Sequence, residues 1–388
     1  MPDVYIYDAV RTPRGKAKAN GGLGALTPHE LVKQQIDALN ARCGNAGESP
    51  EALLLGCIGQ VGDQGGHIAL VSKLHAGLPD ATAAHSINNY CASGLTAIGQ
   101  AAAMVGAGQA SSVLAGGVEC MSRVPFMGDT ASYYTDAGFP PRTRYIPVVL
   151  AADRLAAHEG FTRQELDAVA LASQQKAAVA EGNAAMIRSR IPTGLLAAEE
   201  CIRPKTDAAS LAALPSAFGA LQEQYADALD GERFEPLHTL SHAPPICDGA
   251  AIALVGGAGL GRPRARILAF AESGGDPLAS LTAGFAAMDK ALARAGLTLA
   301  DIDRIEFMES FAVTIARFLR DPDVDPGKVN VSGGHIAKGH PMGASGAILT
   351  STLLDCLDEA DRTLGLVVVS GASGVGAAMV VERLNGAQ

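Results

Sequence analysis

Short apolar runs alternate with longer helical patterns along most of this chain. The apolar runs predict strands at residues 4–7, 53–58, 112–115, 251–255, 267–271, 304–308, 366–370 and 378–382. Helices are predicted at residues 28–42, 93–107, 163–181, 282–295 and 345–358. Alternation of this kind indicates an α/β architecture.

The two halves of the chain show a weak similarity in the order of their predicted elements. In each half a helix, a polar loop and a strand precede a turn that opens a small-residue helix, at Cys91 and again at Ser345. This repeat predicts a duplicated fold. The intervening segment is richer in Pro, Arg and polar residues, which predicts an inserted domain. The expected boundaries are residues 1–120 plus 244–265 for the first half, 121–243 for the insert and 266–388 for the second half.

Composition narrows the function classes. The chain has 388 residues and a net charge of −10, which argues against a nucleic-acid binder. The insert's Arg188, Arg190, Arg203 and Lys205 form either a solvated surface or a site for a phosphorylated ligand. Seven scattered cysteines without CxxC pairs predict a reducing compartment, no disulfides and no metal site. No membrane span and no signal segment are expected, so the predicted location is cytoplasmic.

Two residues stand out as candidate chemistry. Cys91 lies on a turn before an apolar helix, where unpaired N–H groups and the helix dipole favour the thiolate. It is either a nucleophile or an ordinary buried thiol. His340 is fixed between Gly339 and Pro341, so it could serve as a base or be structural. Together they predict a nucleophile–base pair.

Six motifs follow one another along the chain. They are Asp8-Ala9-Val10-Arg11-Thr12-Pro13, Cys91-Ala92-Ser93-Gly94, Gly116-Gly117-Val118-Glu119-Cys120-Met121-Ser122, Ile202-Arg203-Pro204, Asp248-Gly249-Ala250-Ala251, and Gly339-His340-Pro341 with Gly343-Ala344-Ser345-Gly346. In this order they resemble the thiolase family of acetyl-CoA acetyltransferases and 3-ketoacyl-CoA thiolases, over nearly the whole chain.

The resemblance implies a duplicated α-β-α-β-α layered fold with an inserted loop domain. It also implies that Cys91 attacks an acyl-CoA thioester and that His340 activates it. Backbone N–H groups of Cys91 and Ala372 would form an oxyanion hole. The residues expected to bind coenzyme A are Arg203, Phe218, Pro244 and Phe311. Coenzyme A and acyl-CoA are implied as substrates, with no permanently bound cofactor, and a homodimer or homotetramer is implied as the assembly.

The chain departs from the family pattern at several positions. Ser370 stands where the family usually has a second catalytic cysteine, and Met308 stands where it has an Asn or His. Pro244 replaces a usual serine, Pro147 replaces a usual histidine, and the segment 219–235 is longer than expected. A hydroxyl is far less acidic than a thiol of pKa roughly 8.5. Ser370 is therefore predicted to be a poor proton shuttle.

Four interpretations follow from these departures. In the first, the protein is a working thiolase in which Glu309, His335 or a bound water replaces the lost acid/base group. In the second, it performs only the acyl-transfer half of the reaction or a different acyl transfer. In the third it is a non-catalytic CoA-binding scaffold, and in the fourth Ser370 is an engineered change. Retention of Cys91 and His340 argues against the scaffold. A hydrolase with a G-x-S-x-G elbow is not indicated, and a decarboxylating ketosynthase would need a histidine at position 308.

Overall fold

Ten strands form one sheet in the computed structural model, which describes residues 2–44 and 46–384. The strands are β1 (Tyr5–Arg11), β2 (Gly15–Lys16), β3 (Ala52–Gly56), β4 (Ala83–Ile87), β5 (Ser112–Cys120), β6 (Cys247–Gly256), β7 (Ala265–Gly274), β8 (Arg304–Phe307), β9 (Leu364–Gly371) and β10 (Val375–Arg383). The α-helices are α1 (Pro28–Arg42), α2 (Ile68–Ala76), α3 (Ser93–Gly106), α4 (Val148–His158), α5 (Arg163–Ala180), α6 (Ala208–Ala212), α7 (Leu221–Gln224), α8 (Ala283–Ala295), α9 (Ala312–Leu319), α10 (His335–Lys338) and α11 (Ser345–Glu359).

The order of strands in the sheet shows the internal repeat. Along the sheet it is β4-β3-β5-β6-β1-β7-β10-β9-β8, with β2 pairing to β6 outside this path. In the first half, β3 is parallel to β4 and β5, and β6 then pairs antiparallel with β5 and β1. In the second half, β8 is parallel to β9, and β10 pairs antiparallel with β9 and β7. The order β3-β5-β6-β1 is thus mirrored as β8-β9-β10-β7, as a duplicated fold requires.

Three apolar cores pack helices against the strands of the sheet. The central helices α3 and α11 share one core with the inner faces of strands from both halves. Outside, α1 and α2 cover the first half of the sheet, and α8 and α9 cover the second. Most strands of the sheet are buried on both faces, which explains why their sequences are continuous apolar runs rather than alternating ones, whereas β4 and β7 are partly exposed.

Small residues let the two central helices meet at their first turns. A Cβ atom on Gly94 would lie 2.8 Å from the carbonyl oxygen of Gly343, and one on Gly346 would lie 2.5 Å from the backbone nitrogen of Leu95. No side chain fits at either position. This close approach brings the turn before α3 beside the turn before α11.

The predicted elements are present, with shifted ends. Thr27 and Glu30 form a capping box that starts α1, and Thr162 and Glu165 do the same for α5. Strand β5 continues through Gly116 and Gly117, beyond the predicted end at 115. Glycine lets Gly116 contact the backbone of β6 closely and lets Gly117 contact the backbone at Gly343. Helices α2, α4 and α9 were not predicted. Strand β4 was also missed, since this half-exposed edge strand lacks an apolar run.

The segment between β5 and β6 contains α4 to α7 and packs on the second half. Leu166 and Ala152 from this segment share a core with Val313 and Ile336. The domain boundaries given by the sequence stay a prediction. Among the helices of the described residues, none is long and apolar enough to cross a membrane.

Candidate active site

Cys91 lies in the turn between β4 and α3. The turn requires a left-handed backbone at Tyr90, with φ of 46°. Ser93 stabilises it, because its hydroxyl donates to the carbonyl of Tyr90 at 2.5 Å and accepts from the N–H of Asn89 at 2.8 Å. The backbone N–H of Ala372 donates to the Cys91 thiol. The sulfur is therefore held in one place, with 8% of the residue exposed.

His340 lies against the thiol in the matching turn of the second half. Its Nε2 is 3.2 Å from Cys91 Sγ, and its Nδ1 is 2.6 Å from Ser345 Oγ. The backbone N–H of His340 donates to the carbonyl of Pro245 at 2.8 Å. With the Nδ1–H donated to Ser345, Nε2 is free to accept the thiol proton.

Burial keeps both partners neutral. It raises the pKa of the Cys91 thiol to about 12, which outweighs the lowering by the Ala372 N–H. Burial, with the nearby charge of Arg14, lowers the pKa of His340 to about 3. The prediction that the helix start favours a thiolate at Cys91 is therefore wrong: desolvation outweighs the helix and backbone N–H groups. The resting pair is a thiol and a neutral imidazole.

Glu119 connects the two turns. Its buried carboxylate accepts from the backbone N–H groups of Ile58 at 3.0 Å and Gly343 at 2.9 Å, and from Gln64 Nε2 at 2.8 Å. Burial raises its pKa, and the same N–H groups oppose this. The glutamate of the Gly116–Ser122 motif thus anchors the loop that carries His340.

A cavity of about 290 Å³ opens at the thiol. It gathers most of the site residues predicted from the sequence: Cys91, Phe218, Pro244, Met308, Phe311, His340, Ser370 and Ala372, with Pro147 beside them. Arg203 is exposed and does not line it. The sequence analysis missed a further set of wall residues: Tyr90, Phe126, Met127, Tyr134, Tyr145 and Ser310. Only Tyr90 carried a signal, its position directly before Cys91.

The chain matches two family models. The thiolase N-terminal domain matches residues 4–222, and the thiolase C-terminal domain matches residues 261–383. The chain belongs to the thiolase family. The predicted family, fold and acyltransferase class are thereby confirmed.

Relatives match this thiolase along its whole length. The acetyl-CoA acetyltransferase of Escherichia coli K12 is 36% identical, over 99% of this chain and 100% of the relative. The 3-ketoacyl-CoA thiolase of Shewanella frigidimarina is 34% identical over the same shares. The crystal structure of human mitochondrial 3-ketoacyl-CoA thiolase superposes with a TM-score of 0.86, at 26% identity and 99% coverage of each chain.

The two departures of this thiolase lie in the cavity wall. Ser370 is fully buried at the end of β9, and its Oγ accepts from the N–H of Gly284 at 3.0 Å. Met308 is 1% exposed and presents an apolar side chain. Ser310 lies close by and donates to the carbonyl of Ser370 at 3.1 Å. Neither departure places an acidic or basic group at the thiol.

The proposed replacements for the second cysteine lie behind the cavity rather than in its wall. The Glu309 carboxylate accepts from Ser173 Oγ at 2.7 Å, from Asn330 Nδ2 at 3.1 Å and from the Ile336 N–H at 3.0 Å. His335 packs edge-on against His340, with ring centroids 5.2 Å apart, and its two ring nitrogens have no hydrogen-bond partner. Both are fixed structural neighbours of the site.

The basic residues of the insert do not gather at the cavity. Arg190 pairs with Glu181, and Arg188 lies 3.4 Å from Asp358. Lys205 is exposed, like Arg203. Within residues 2–44 and 46–384, no group of three or more His, Cys, Asp or Glu side chains could hold a metal ion.

Proposed function

We propose that this thiolase is an acyl-CoA acyltransferase in which Cys91 takes the acyl group and His340 is its base. The observation that carries the proposal is the 3.2 Å contact between Cys91 Sγ and His340 Nε2, with the Ala372 N–H directed at the same sulfur. A thiol, a neutral imidazole and a fixed backbone donor are the groups that acylation needs.

The acylation step follows from these contacts. Cys91 Sγ attacks the thioester carbonyl carbon while its proton passes to His340 Nε2. The carbonyl oxygen becomes negative and is stabilised by the backbone N–H groups of Cys91 and Ala372. When the carbonyl re-forms, the bond to the coenzyme A sulfur breaks, and His340 returns the proton to that sulfur. The products are an acyl-thioester on Cys91 and free coenzyme A.

The step that follows acylation of Cys91 distinguishes two candidate functions. A thiolase proper cleaves a 3-ketoacyl-CoA or condenses two acyl-CoAs, and either direction needs a proton shuttle at the carbon next to the carbonyl. Ser370 turns its hydroxyl oxygen to Gly284, and Met308 adds no polar group. These observations favour the second candidate, an acyl transfer to an acceptor other than carbon.

Incubation with acetyl-CoA and with acetoacetyl-CoA, followed by intact-mass and turnover assays, tests both candidates. An acetyl adduct that disappears in Cys91→Ala is expected. Adduct without thiolysis or condensation supports transfer to another acceptor, and robust thiolysis supports a thiolase proper. Absence of any adduct, with coenzyme A still bound, would leave the non-catalytic scaffold.

Ser370→Cys asks whether the lost cysteine limits turnover. We expect it to raise thiolysis by orders of magnitude. Ser373→Cys is the matched control, because it makes the same change in the same turn at a residue outside the cavity wall. No gain in Ser370→Cys, or an equal gain in both, would contradict the idea.

We propose that the assembly is a homodimer formed through β4. This strand is one of the two edges of the sheet and pairs only with β3 among the described strands. Such edges pair readily with another chain. The adjoining helix α2 exposes Leu70 at 38% and Leu74 at 64%. Leu74→Asp should convert the dimer to a monomer in light scattering. Val179→Asp, at an exposed apolar residue of α5, should not. A monomeric wild type at micromolar concentration would refute this.

A further inference from the structure

We infer that the cavity beside Cys91 contains an aromatic acyl site that selects bulky, uncharged acyl groups and rejects acyl groups ending in a carboxylate. The inference rests on the proposed function and adds the class of acyl group. The residues that set the selection are Tyr90, Phe126, Tyr134 and Tyr145. The last three come from the insert, and Tyr90 comes from the nucleophile turn.

The aromatic wall lies next to the nucleophile. Tyr90 is bonded directly to Cys91, and Tyr145 lines the same cavity as the thiol. Tyr134 packs against Tyr145, with ring centroids 4.9 Å apart. An acyl group carried on Cys91 therefore meets aromatic rings within its first few carbon atoms.

The tyrosine hydroxyls do not make this wall polar. Tyr134 donates to Asp129 Oδ2 at 3.0 Å, and Tyr145 donates to Met127 Sδ at 3.6 Å. Ser373 lies beside the Tyr90 hydroxyl and lowers its pKa, although burial raises that pKa overall. Since the hydroxyls of Tyr134 and Tyr145 have protein partners, their ring carbons are left to contact a ligand, and rings of this kind bind apolar and aromatic groups.

The cavity offers no partner for a charged acyl group. Among the described residues that line it, none is an aspartate, glutamate, lysine or arginine. His340 is neutral there. A carboxylate buried without a partner loses its hydration at a large cost, so it would bind far more weakly than a methyl group of similar size. The nucleotide of coenzyme A, which is charged, must remain outside this cavity.

The test measures binding, without turnover, to the Cys91→Ala protein. Isothermal titration with acetyl-CoA, hexanoyl-CoA and adipoyl-CoA compares acyl length and then a terminal carboxylate on the same six carbons. Burial of each methylene is worth about fourfold in affinity. We expect hexanoyl-CoA to bind at least tenfold more tightly than acetyl-CoA and at least a hundredfold more tightly than adipoyl-CoA. Equal affinities, or adipoyl-CoA within threefold of hexanoyl-CoA, would overturn the inference.

Variants locate the site. Tyr134→Ala should reduce the hexanoyl preference, whereas Tyr5→Ala should not, because Tyr5 lines other cavities and lies outside this one. Phe126 is 47% exposed at the wall, so Phe126→Arg should fold and should improve adipoyl-CoA binding at least tenfold. No improvement in a folded Phe126→Arg protein would count against the inference.

These outcomes separate the inference from the proposed function. If Cys91 of the wild type is never acylated but hexanoyl-CoA still binds more tightly than adipoyl-CoA, the acyl site stands and the catalytic proposal fails. If Cys91 is acylated and the three esters bind equally, the reverse holds.

Discussion

The neutral state of the Cys91–His340 pair predicts an unusual dependence of thiol reactivity on pH. With a pKa of about 12, Cys91 is about 10⁻⁵ thiolate at pH 7, whereas a free thiol of pKa roughly 8.5 is about 3% thiolate. Alkylation by iodoacetamide needs the thiolate. Its rate at Cys91 should therefore be about three thousandfold below that of a free thiol and should rise tenfold per pH unit from pH 6 to 9.

Peptide mass mapping after timed alkylation measures this rate at Cys91 alone. Cys43 is an internal comparison, because it is half-buried and burial raises its pKa to about 11, so it should react faster. Acylation by acetyl-CoA should differ from alkylation. The base is neutral His340, with a pKa of about 3, so the acylation rate should stay level from about pH 5 to 9.

His340→Asn separates the two reactions. It removes the base, so acylation should fall by roughly 10²–10⁴-fold, while alkylation at high pH changes little. A plateau in the alkylation rate between pH 5 and 8 would refute the reasoning, since it would reveal a preformed thiolate–imidazolium pair.

Three further predictions concern groups behind the site. Ser345→Ala removes the partner of His340 Nδ1, so kcat/KM for acylation should fall about tenfold with the melting temperature nearly unchanged; an equal loss of stability would contradict a positioning role. Glu199→Gln should cost about 3 kcal/mol in urea unfolding at pH 7, because it leaves the buried guanidinium of Arg14 unpaired. Burial raises the pKa of Glu199, but the charge of Arg14 outweighs burial and holds this pKa at about 2. The difference in unfolding free energy between wild type and Glu199→Gln should therefore be constant above pH 5 and shrink as the pH falls towards 2. Gly94→Ala should destabilise the protein by about 1–3 kcal/mol in the same assay, since its Cβ meets backbone of the facing loop.

Sequence reasoning succeeded where local chemistry determines the structure. The small residues of Cys91-Ala92-Ser93-Gly94 and Gly343-Ala344-Ser345-Gly346 are needed at the first turns of α3 and α11, where two helices come into backbone contact. The same pattern recurs in both halves, so the pairing of Cys91 with His340 could be predicted from the repeat. The pairing depends on packing that the motifs themselves specify.

It failed where distant segments meet. The pKa of Cys91 depends on how completely the cavity wall excludes water, and that wall comes largely from the insert. Tyr134 and Tyr145 lie more than forty residues from Cys91, in a stretch without regular periodicity. The orientation of the Ser370 hydroxyl depends on the backbone N–H of Gly284, which lies at the start of α8. No local pattern encodes such contacts.

The two departures from the family pattern, Ser370 and Met308, concern only the second step of the reaction. Cys91, His340 and the Ala372 N–H, the groups that acylation needs, keep their mutual contacts. Ser370 and Met308 replace the groups that the family resemblance assigns to making or breaking the carbon–carbon bond. All five residues line one cavity. Change confined to the second set fits the proposed transfer of the acyl group to an acceptor other than carbon.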